Sequence, residues 1–166
     1  MSILLYYDAL REIKTKEQLN EFSSEIDIVL SSLFKVKNKN IEEILDKSVG
    51  QKTLGIVKKL IQDNKIDPSD YNSLEKLLIG IKQDLKKITI LKITLAIDPT
   101  PEIIDHLFEW VKQNLGEGII LDIDKNESIL GGAVITFNGR YKDFSLKCTL
   151  GEIFKNKKAE IMNFAK

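Results

Sequence analysis

The sequence is poor in the residue types from which disulfide, zinc and nucleophilic sites are built. Its 166 residues include one cysteine, Cys148, and one histidine, His106. A single cysteine excludes an internal disulfide bond and a cysteine-based zinc site, and it fits a reducing compartment. Nucleophilic catalysis needs an activated serine or cysteine with a base in reach, and the spacing of these residues supplies none. We therefore expect no catalytic residue, no metal ligand and no cofactor.

Long apolar segments are also lacking. The most apolar run, ITILKITLAI, has ten residues and contains a lysine, whereas a membrane-spanning helix needs about 20 apolar residues. The opening MSILLYYDALRE has no basic lead and no small-residue cleavage site, so it is not expected to be a signal peptide. Any membrane association is expected to be indirect, through a partner.

The chain has no excess charge of either sign. Lys and Arg together number 25, as do Asp and Glu, so the formal net charge is zero. No far-reaching field gathers nucleic acid or an anionic membrane, and we expect no nucleic-acid partner. A local basic group near the end, Lys155, Lys157 and Lys158, is interpreted as a solvated helix face or a frayed end.

Helical periodicity dominates the first half, and 43% hydrophobic residues suffice for a core. A short helix is predicted from Ile3 to Ile13, and Thr15 with Gln18 forms a capping box for the next helix. Three more helices follow. The polar run KVKNKN precedes the first of them, which Asn40 caps and Gly50 can terminate. The turn DNKIDPSD separates the last two. Their apolar stripes comprise Leu19, Phe22, Ile26, Val29, Leu30 and Leu33; Ile41, Ile44, Leu45 and Val49; Leu54, Val57, Leu60 and Ile61; and Tyr71, Leu74, Leu78, Ile81 and Leu85.

After Lys87 the pattern changes to that of strands. ITILKITLAI is rich in β-branched residues and is predicted to be a buried strand, with Lys92 at an end or edge. Thr100 and Pro101 are typical of a helix start, Gly116 ends that helix, and the strand IILDID follows, so parallel pairing of the two strands is expected. The strands AVITF and RYKDF flank Asn138-Gly139, which favours a two-residue hairpin. A final helix is predicted from about Ser145. The stripe of the middle helix comprises Ile103, Ile104, Leu107, Phe108, Val111 and Leu115.

These elements predict an α+β protein. An N-terminal helical bundle is expected over residues 1–87, because modest amphipathic helices must bury their apolar faces against one another. A small C-terminal α/β domain with a mixed sheet, a β-hairpin and a terminal helix is expected over residues 88–166.

Two short motifs resemble ion or phosphate sites without meeting their requirements. Asp122, Asp124 and Asn126 alternate as in a calcium loop, but the positions that need glycine and a bidentate glutamate hold Glu127 and Ala133. The segment Gly50 to Thr53 resembles half a phosphate-binding loop, yet lysine does not directly follow Gly50 and no strand precedes it. Ser145 likewise lacks the G-x-S-x-G elbow of a nucleophile.

A glycine pair enters the hairpin in ESILGGAVITFNGRYKDFS, residues 127–145. Gly131 and Gly132 run into a strand, whereas a phosphate cradle presents amides at a helix N-terminus. We interpret the pair as permitting a bulge or close packing where the chain re-enters the sheet. Asp143 and Ser145 are expected at the join to the final helix, with Ser145 as its N-cap.

The order of these elements and motifs resembles the delta subunit family of F-type ATP synthases, whose mitochondrial counterpart is the oligomycin-sensitivity-conferring protein. In that family a segment like D-x-S-L-I-G-G precedes a strand, and D-x-S with a leucine-bearing helix closes the sequence; the opening Tyr7 to Leu10 is similar to the family's Y-A-x-A-L. The resemblance assigns structural motif positions to Ser128, Ile129, Leu130, Gly131 and Gly132, and to Asp143, Ser145, Leu146 and Leu150.

The resemblance implies a non-catalytic stator protein of the peripheral stalk, monomeric in isolation. Its helical domain would hold the N-terminal helices of alpha subunits, and its C-terminal part would bind the ends of the b-type stalk subunits. It would lie peripherally at the cytoplasmic face of the inner (cell) membrane. Amphipathic helices form grooves that accept a partner's apolar helix face, which is compatible with this role.

Two other interpretations stay open from the sequence alone. The first is a small enzyme or nucleotide- or phosphate-binding module that uses the Gly131-Gly132 loop as an anion site. The second is an adaptor of unrelated function that shares only the architecture. A ligand-dependent rise in melting temperature would favour the first.

Overall fold

The computed structural model describes residues 10–35 and 41–164, and of residues 34, 35, 41–44, 156 and 158–164 it describes the backbone alone. The chain divides into two compact units, Met1–Thr89 and Ile90–Lys166. Most of the first predicted helix, residues 7–9 of the segment Tyr7 to Leu10, most of the run KVKNKN and the Asn40 cap lie outside the described residues. Of that predicted helix, Leu10 is helical and residues 11–13 are not, so the helix ends before the predicted Ile13. Each of the two units has a hydrophobic core of its own.

The first unit is helical. Its described helices are α1 (Lys16–Lys35), α2 (Ile41–Ser48), α3 (Gln51–Asp63) and α4 (Tyr71–Leu85). The capping box at the start of α1 is confirmed: Thr15 Oγ1 accepts a hydrogen bond from Gln18 N at 3.3 Å, and Gln18 Oε1 accepts one from Lys14 N at 2.9 Å. Local side-chain caps therefore fix where α1 begins.

The described side chains of the predicted apolar stripes converge on one core. Helix α1 packs against α2 and α4, and the fully buried side chains include Ile26, Val29, Leu45, Val57, Leu74, Leu78 and Ile81. An ion pair between Asp27 and Lys82 links α1 to α4 at the surface. Asp84 is also buried at the end of α4, where Lys87 Nζ lies 2.6 Å from its Oδ1. The buried carboxylate thus has a charged partner, as a low-dielectric environment requires.

The sequence predicts that Gly50 terminates a helix, whereas in the structure it begins the next one. Helix α2 ends at Ser48, and Gly50 has φ −69° and ψ 160°, an extended conformation in which it is the N-cap of α3. Its N–H donates to Glu25 Oε1 at 2.9 Å. A carboxylate from α1 therefore stabilises the start of α3, a contact between residues too distant in sequence for a capping rule to find.

The second unit contains one sheet. Its elements are β1 (Thr89–Leu95), α5 (Pro101–Leu115), β2 (Ile119–Lys125), a 3₁₀ turn (Glu127–Ile129), β3 (Gly132–Phe137), β4 (Arg140–Ser145) and α6 (Leu146–Phe164). The strand order is β2-β1-β3-β4, and the sheet is mixed. Because β1 with β3 and β3 with β4 are antiparallel, β1 and β2 are the parallel pair. The α+β fold class is confirmed.

The local start and turn signals of this unit are also confirmed. Thr100 caps α5 by accepting from Ile103 N, with Pro101 at the first helical position, and Gly116 ends the helix at φ 106°. Asn138 and Gly139 have φ of 48° and 74°, which gives the two-residue hairpin its right-handed twist. The core under α5 consists of Leu91, Ile93, Phe108, Val111, Ile119 and Leu121.

Three sequence expectations about this unit differ from the structure. Strand β1 is not buried on both faces, and Lys92 is not at an end or edge: β1 is an inner strand, and Lys92 lies at its middle on the exposed face, with Nζ 2.9 Å from Asp124 Oδ2. Leu115, the last residue of the apolar stripe predicted for α5, is 42% exposed and so does not join the core. A run of β-branched residues cannot reveal that one face of the sheet stays open.

Candidate functional site

The motif residues of the second unit meet at one corner of the sheet, where the 3₁₀ turn enters β3 and β4 passes into α6. Asn126 Oδ1 accepts from Ser128 N at 3.0 Å and so starts the turn. Ile129 is buried beneath it. The carbonyl of Gly131 accepts from Leu146 N at 2.9 Å, which joins the entry of β3 to the start of α6.

Gly132 occupies a position that only glycine fits. Its φ is +75°, and a Cβ built on it would lie 2.2 Å from the carbonyl oxygen of Phe144 on β4. Gly131 is less constrained, since its Cβ would meet Leu146 Cβ at 3.6 Å, an ordinary contact. The second glycine of the pair is therefore required by the close approach of two strands.

Asp143 and Ser145 connect the hairpin to the final helix. Asp143 Oδ1 accepts from Ser145 N at 2.8 Å, and Ser145 Oγ accepts from Cys148 N at 3.1 Å, as a helix N-cap does. Hydrogen bonding by the Ser145 hydroxyl, and then by its backbone N–H, lowers the pKa of Asp143. The ionised carboxylate is the form that this junction stabilises.

The remaining motif positions differ in exposure. Leu130 has a left-handed conformation at φ 66° and is 62% exposed, and Ser128 is exposed on the 3₁₀ turn. Leu150 lies half-buried on α6. Leu130 therefore combines an unusual backbone conformation with a large uncovered apolar side chain.

Backbone amides at this corner already donate hydrogen bonds within the protein. The amides of Leu146 and Cys148 at the start of α6 already donate to Gly131 O and Ser145 Oγ. An anion site at a helix N-terminus needs such amides free. Ser145 is 1% exposed, which removes its hydroxyl from any substrate in solution.

The other residues considered for chemistry are dispersed. His106 is exposed on α5, and Cys148 is half-buried on α6 rather than a fully buried hydrophobe. Asp124 is paired with Lys92, and Asn126 caps the 3₁₀ turn. Within residues 10–35 and 41–164, no three His, Cys, Asp or Glu side chains are grouped to hold a metal ion.

A cavity in the helical unit was not anticipated from the sequence. It has a volume of about 240 Å³ and lies where the start of α1 meets the start of α3. Ile13, Phe22 and Ile56 supply apolar walls, and Glu25 and Lys52 are among its polar lining. Only the fold brings these residues together, because helical stripes show which faces are apolar but not where two helices leave a gap.

No helix in the described part of the chain combines the length and the apolar character needed to cross a bilayer.

Comparison with known proteins matches a family and, among solved structures, a mitochondrial ATP synthase. The family model described as "ATP synthase delta (OSCP) subunit" matches residues 6–156. A chain of the Toxoplasma gondii mitochondrial ATP synthase hexamer, solved by cryo-electron microscopy, matches at 18% identity, with 91% of this chain and 94% of that chain covered and a TM-score of 0.35. That superposition is too loose to carry any argument. No curated protein matches the sequence.

Proposed function

Since the chain belongs to the ATP synthase delta (OSCP) subunit family, we propose that it is the stator subunit that links the catalytic head of a rotary F-type ATP synthase to the membrane-anchored b-type stalk. The family is a structural, non-catalytic subunit of the synthase. The observation that carries the proposal is the family match, which spans residues 6–156 and so takes in most of both units.

The division of labour that we propose follows the two units. The helical domain, residues 1–87 by sequence, binds the N-terminal helix of an alpha subunit, and the C-terminal domain, residues 88–166, binds the ends of the b-type subunits. Packed amphipathic helices with a cavity between α1 and α3 support the first assignment, because such bundles accept an apolar helix face. The protein is monomeric in isolation and peripheral at the cytoplasmic face of the membrane.

The motif residues are proposed to act structurally. Ser128, Leu130, Gly131, Gly132, Asp143, Ser145 and Leu150 form or flank the corner that joins the 3₁₀ turn, the hairpin and α6. The hydrogen bonds from Leu146 N to Gly131 O and from Ser145 N to Asp143 Oδ1 support this role. The same bonds disfavour a nucleotide- or phosphate-binding module, because they use amides that an anion would need.

A calorimetric titration tests the head-binding assignment. A synthetic peptide with the N-terminal sequence of the alpha subunit from the same source is expected to bind the full chain, and a scrambled peptide of equal composition is not. Hydrogen exchange should show new protection within residues 16–85 and little change within residues 89–145. Absence of heat and of protection at high micromolar peptide, with the protein folded by circular dichroism, would contradict the assignment.

A further inference from the structure

The sheet of the second unit ends in a strand whose outer side has no partner among the described residues. Strand β4 stands last in the order β2-β1-β3-β4 and pairs only with β3. It contains no proline and no bulge, because six consecutive residues, Arg140 to Ser145, pair one-to-one with Phe137 back to Gly132. An edge without proline or a bulge is a template for strand addition, and the charged side chains of β4 limit which strands can add.

The hairpin geometry shows which backbone groups face outwards. Phe137 and Arg140 flank the two-residue turn and form its hydrogen-bonded pair. Inward and outward positions alternate along β4, so Arg140, Lys142 and Phe144 bond to β3, whereas the N–H and C=O of Tyr141 and Asp143 point away from the sheet. The outer edge therefore offers two donors and two acceptors at strand spacing.

The side chains beside this edge are uncovered. Tyr141 is 65% exposed on one face of the sheet, and Phe144 is 54% exposed on the other. The Lys142 ammonium lies 5.3 Å from the centre of the Phe144 ring. A strand laid along β4 would thus bury an aromatic ring on each face as well as pair its backbone.

The exposed charge beside the outer edge of β4 is mainly positive, although the whole chain has no net charge. Arg140, Lys142 and Lys147 are exposed within residues 140–147. The one carboxylate there, Asp143, accepts from Ser145 N and from Tyr141 Oη. Opposite charges directly across a strand pair are favourable and like charges are unfavourable. The edge is therefore complementary to an acidic strand.

A second copy of this chain fits the same edge poorly. In an antiparallel pair of two β4 strands, the outward-facing residues of one copy, Tyr141 and Asp143, must bond to the same two residues of the other copy. Depending on the register, this places Lys142 opposite Lys142, Arg140 opposite Lys142, or Asp143 opposite Asp143. Each register opposes like charges, so the side chains that attract an acidic strand also exclude self-pairing.

We infer that the outer edge of β4 is a docking site for an extended, acidic segment of a partner polypeptide, which adds a fifth strand to the sheet. Backbone bonds to Tyr141 and Asp143 supply affinity, and Arg140 and Lys142 supply the preference for acidic side chains. The inference goes beyond the proposed function, which assigns b-type subunits to this C-terminal domain without naming a surface, and it does not depend on the helical unit or its binding of an alpha subunit.

The test uses two synthetic peptides of about eight residues, a usual strand length. One alternates glutamate with valine and threonine, and the other replaces each glutamate by lysine. Added to the ¹⁵N-labelled full chain, the acidic peptide is expected to shift the amide signals of Tyr141 and Asp143 and to slow their hydrogen exchange. It should bind about tenfold more tightly than the basic peptide, as two cross-strand charge pairs would give.

Two substitutions at one position separate backbone pairing from other contacts. Tyr141→Pro removes the outward N–H together with the tyrosine ring, a change that an edge strand tolerates, and should abolish binding of the acidic peptide; Tyr141→Thr removes the ring alone. Tyr141→Thr keeps that N–H and should retain binding. Lys142→Glu should reverse the preference between the two peptides.

Several outcomes would overturn the inference. They are equal binding of both peptides, binding that survives Tyr141→Pro, no effect of either peptide on the two amides, or protection of those amides that grows with protein concentration alone. The last result would mean that a second copy occupies the edge. Titration with the alpha-subunit peptide should be unaffected by the Tyr141 variants, so failure here and failure of the proposed function are distinguishable.

Discussion

At the scale of single residues, the junction between the hairpin and α6 depends on backbone space and on one carboxylate. Gly132 is placed where a side chain would collide with the main chain of β4. Asp143 receives the N–H of Ser145, and Ser145 in turn caps α6. The two residues act on the same junction through different physical effects, sterics at one and charge at the other.

Replacing Gly132 by alanine is expected to destabilise the protein by about 2–4 kcal/mol, because left-handed strain adds to a collision with a backbone atom. Gly139→Ala is the matched control: its φ of +74° is nearly the same, but its Cβ would meet nothing within 4 Å. It should cost only about 1 kcal/mol. Urea denaturation measures both values, and equal losses would show that strain alone explains Gly132.

The pH dependence of stability should carry a contribution from Asp143. Its pKa in the folded protein lies below the ordinary value of 3.8. The carboxylate therefore adds stability at pH values above its unfolded pKa, and this stability is lost as pH falls through the folded pKa. The melting temperature of the native protein should exceed that of Asp143→Asn near neutral pH, and the difference should shrink on acidification. A difference that stays constant down to the acid limit would contradict this account.

At the scale of elements, caps and turns decide where each segment begins and ends. Helix α5 starts at Pro101 because Thr100 accepts from Ile103 N at 3.4 Å, and the hairpin reverses at Asn138-Gly139. The helices of the first unit owe more to packing than to propensity, as short helices generally do. Cap substitutions should therefore have modest effects, and core substitutions large ones.

Thr100→Ala is expected to cost about 1 kcal/mol, the usual loss of an N-cap side chain. Thr100→Ser retains an acceptor oxygen at the same position and should cost much less. Both are read from urea unfolding followed by circular dichroism. If the Ser variant were as unstable as the Ala variant, the stabilisation would come from the methyl group of Thr100 and not from its hydroxyl.

At the scale of the whole molecule, the chain has two separate sets of buried side chains. One set consists of residues from the helical unit, Leu10 to Leu85, and the other of residues from the sheet unit, Leu91 to Leu121. The stator role proposed above would require each unit to hold its own shape. Separate cores provide this, because each is densely packed within itself.

Core truncations should have effects confined to one unit. Ile26→Ala and Leu121→Ala each remove a side chain that is 0% exposed, and each is expected to cost about 2–5 kcal/mol. Hydrogen exchange followed by mass spectrometry should show lost protection in α1 and α4 for the first variant and in β1 and β2 for the second. Loss of protection in both units from either substitution would show that the cores are coupled.

The sequence by itself determined the fold class, the positions of the described helices and strands, the caps at Thr15, Thr100 and Ser145, and the turn at Asn138-Gly139. These features depend on residues within about four positions of one another, so periodicity and capping rules reach them. The motif around Gly131 and Gly132 is equally local, and its order of residues was enough to indicate the family.

Only the tertiary structure decided which surfaces stay open. It placed Lys92 in the middle of an inner strand, made Gly50 a cap supported by Glu25, opened the cavity beside Phe22, and left the edge of β4 unpaired. Each of these depends on residues brought together from distant parts of the chain. Strand order and burial are set by those contacts, which no local pattern encodes.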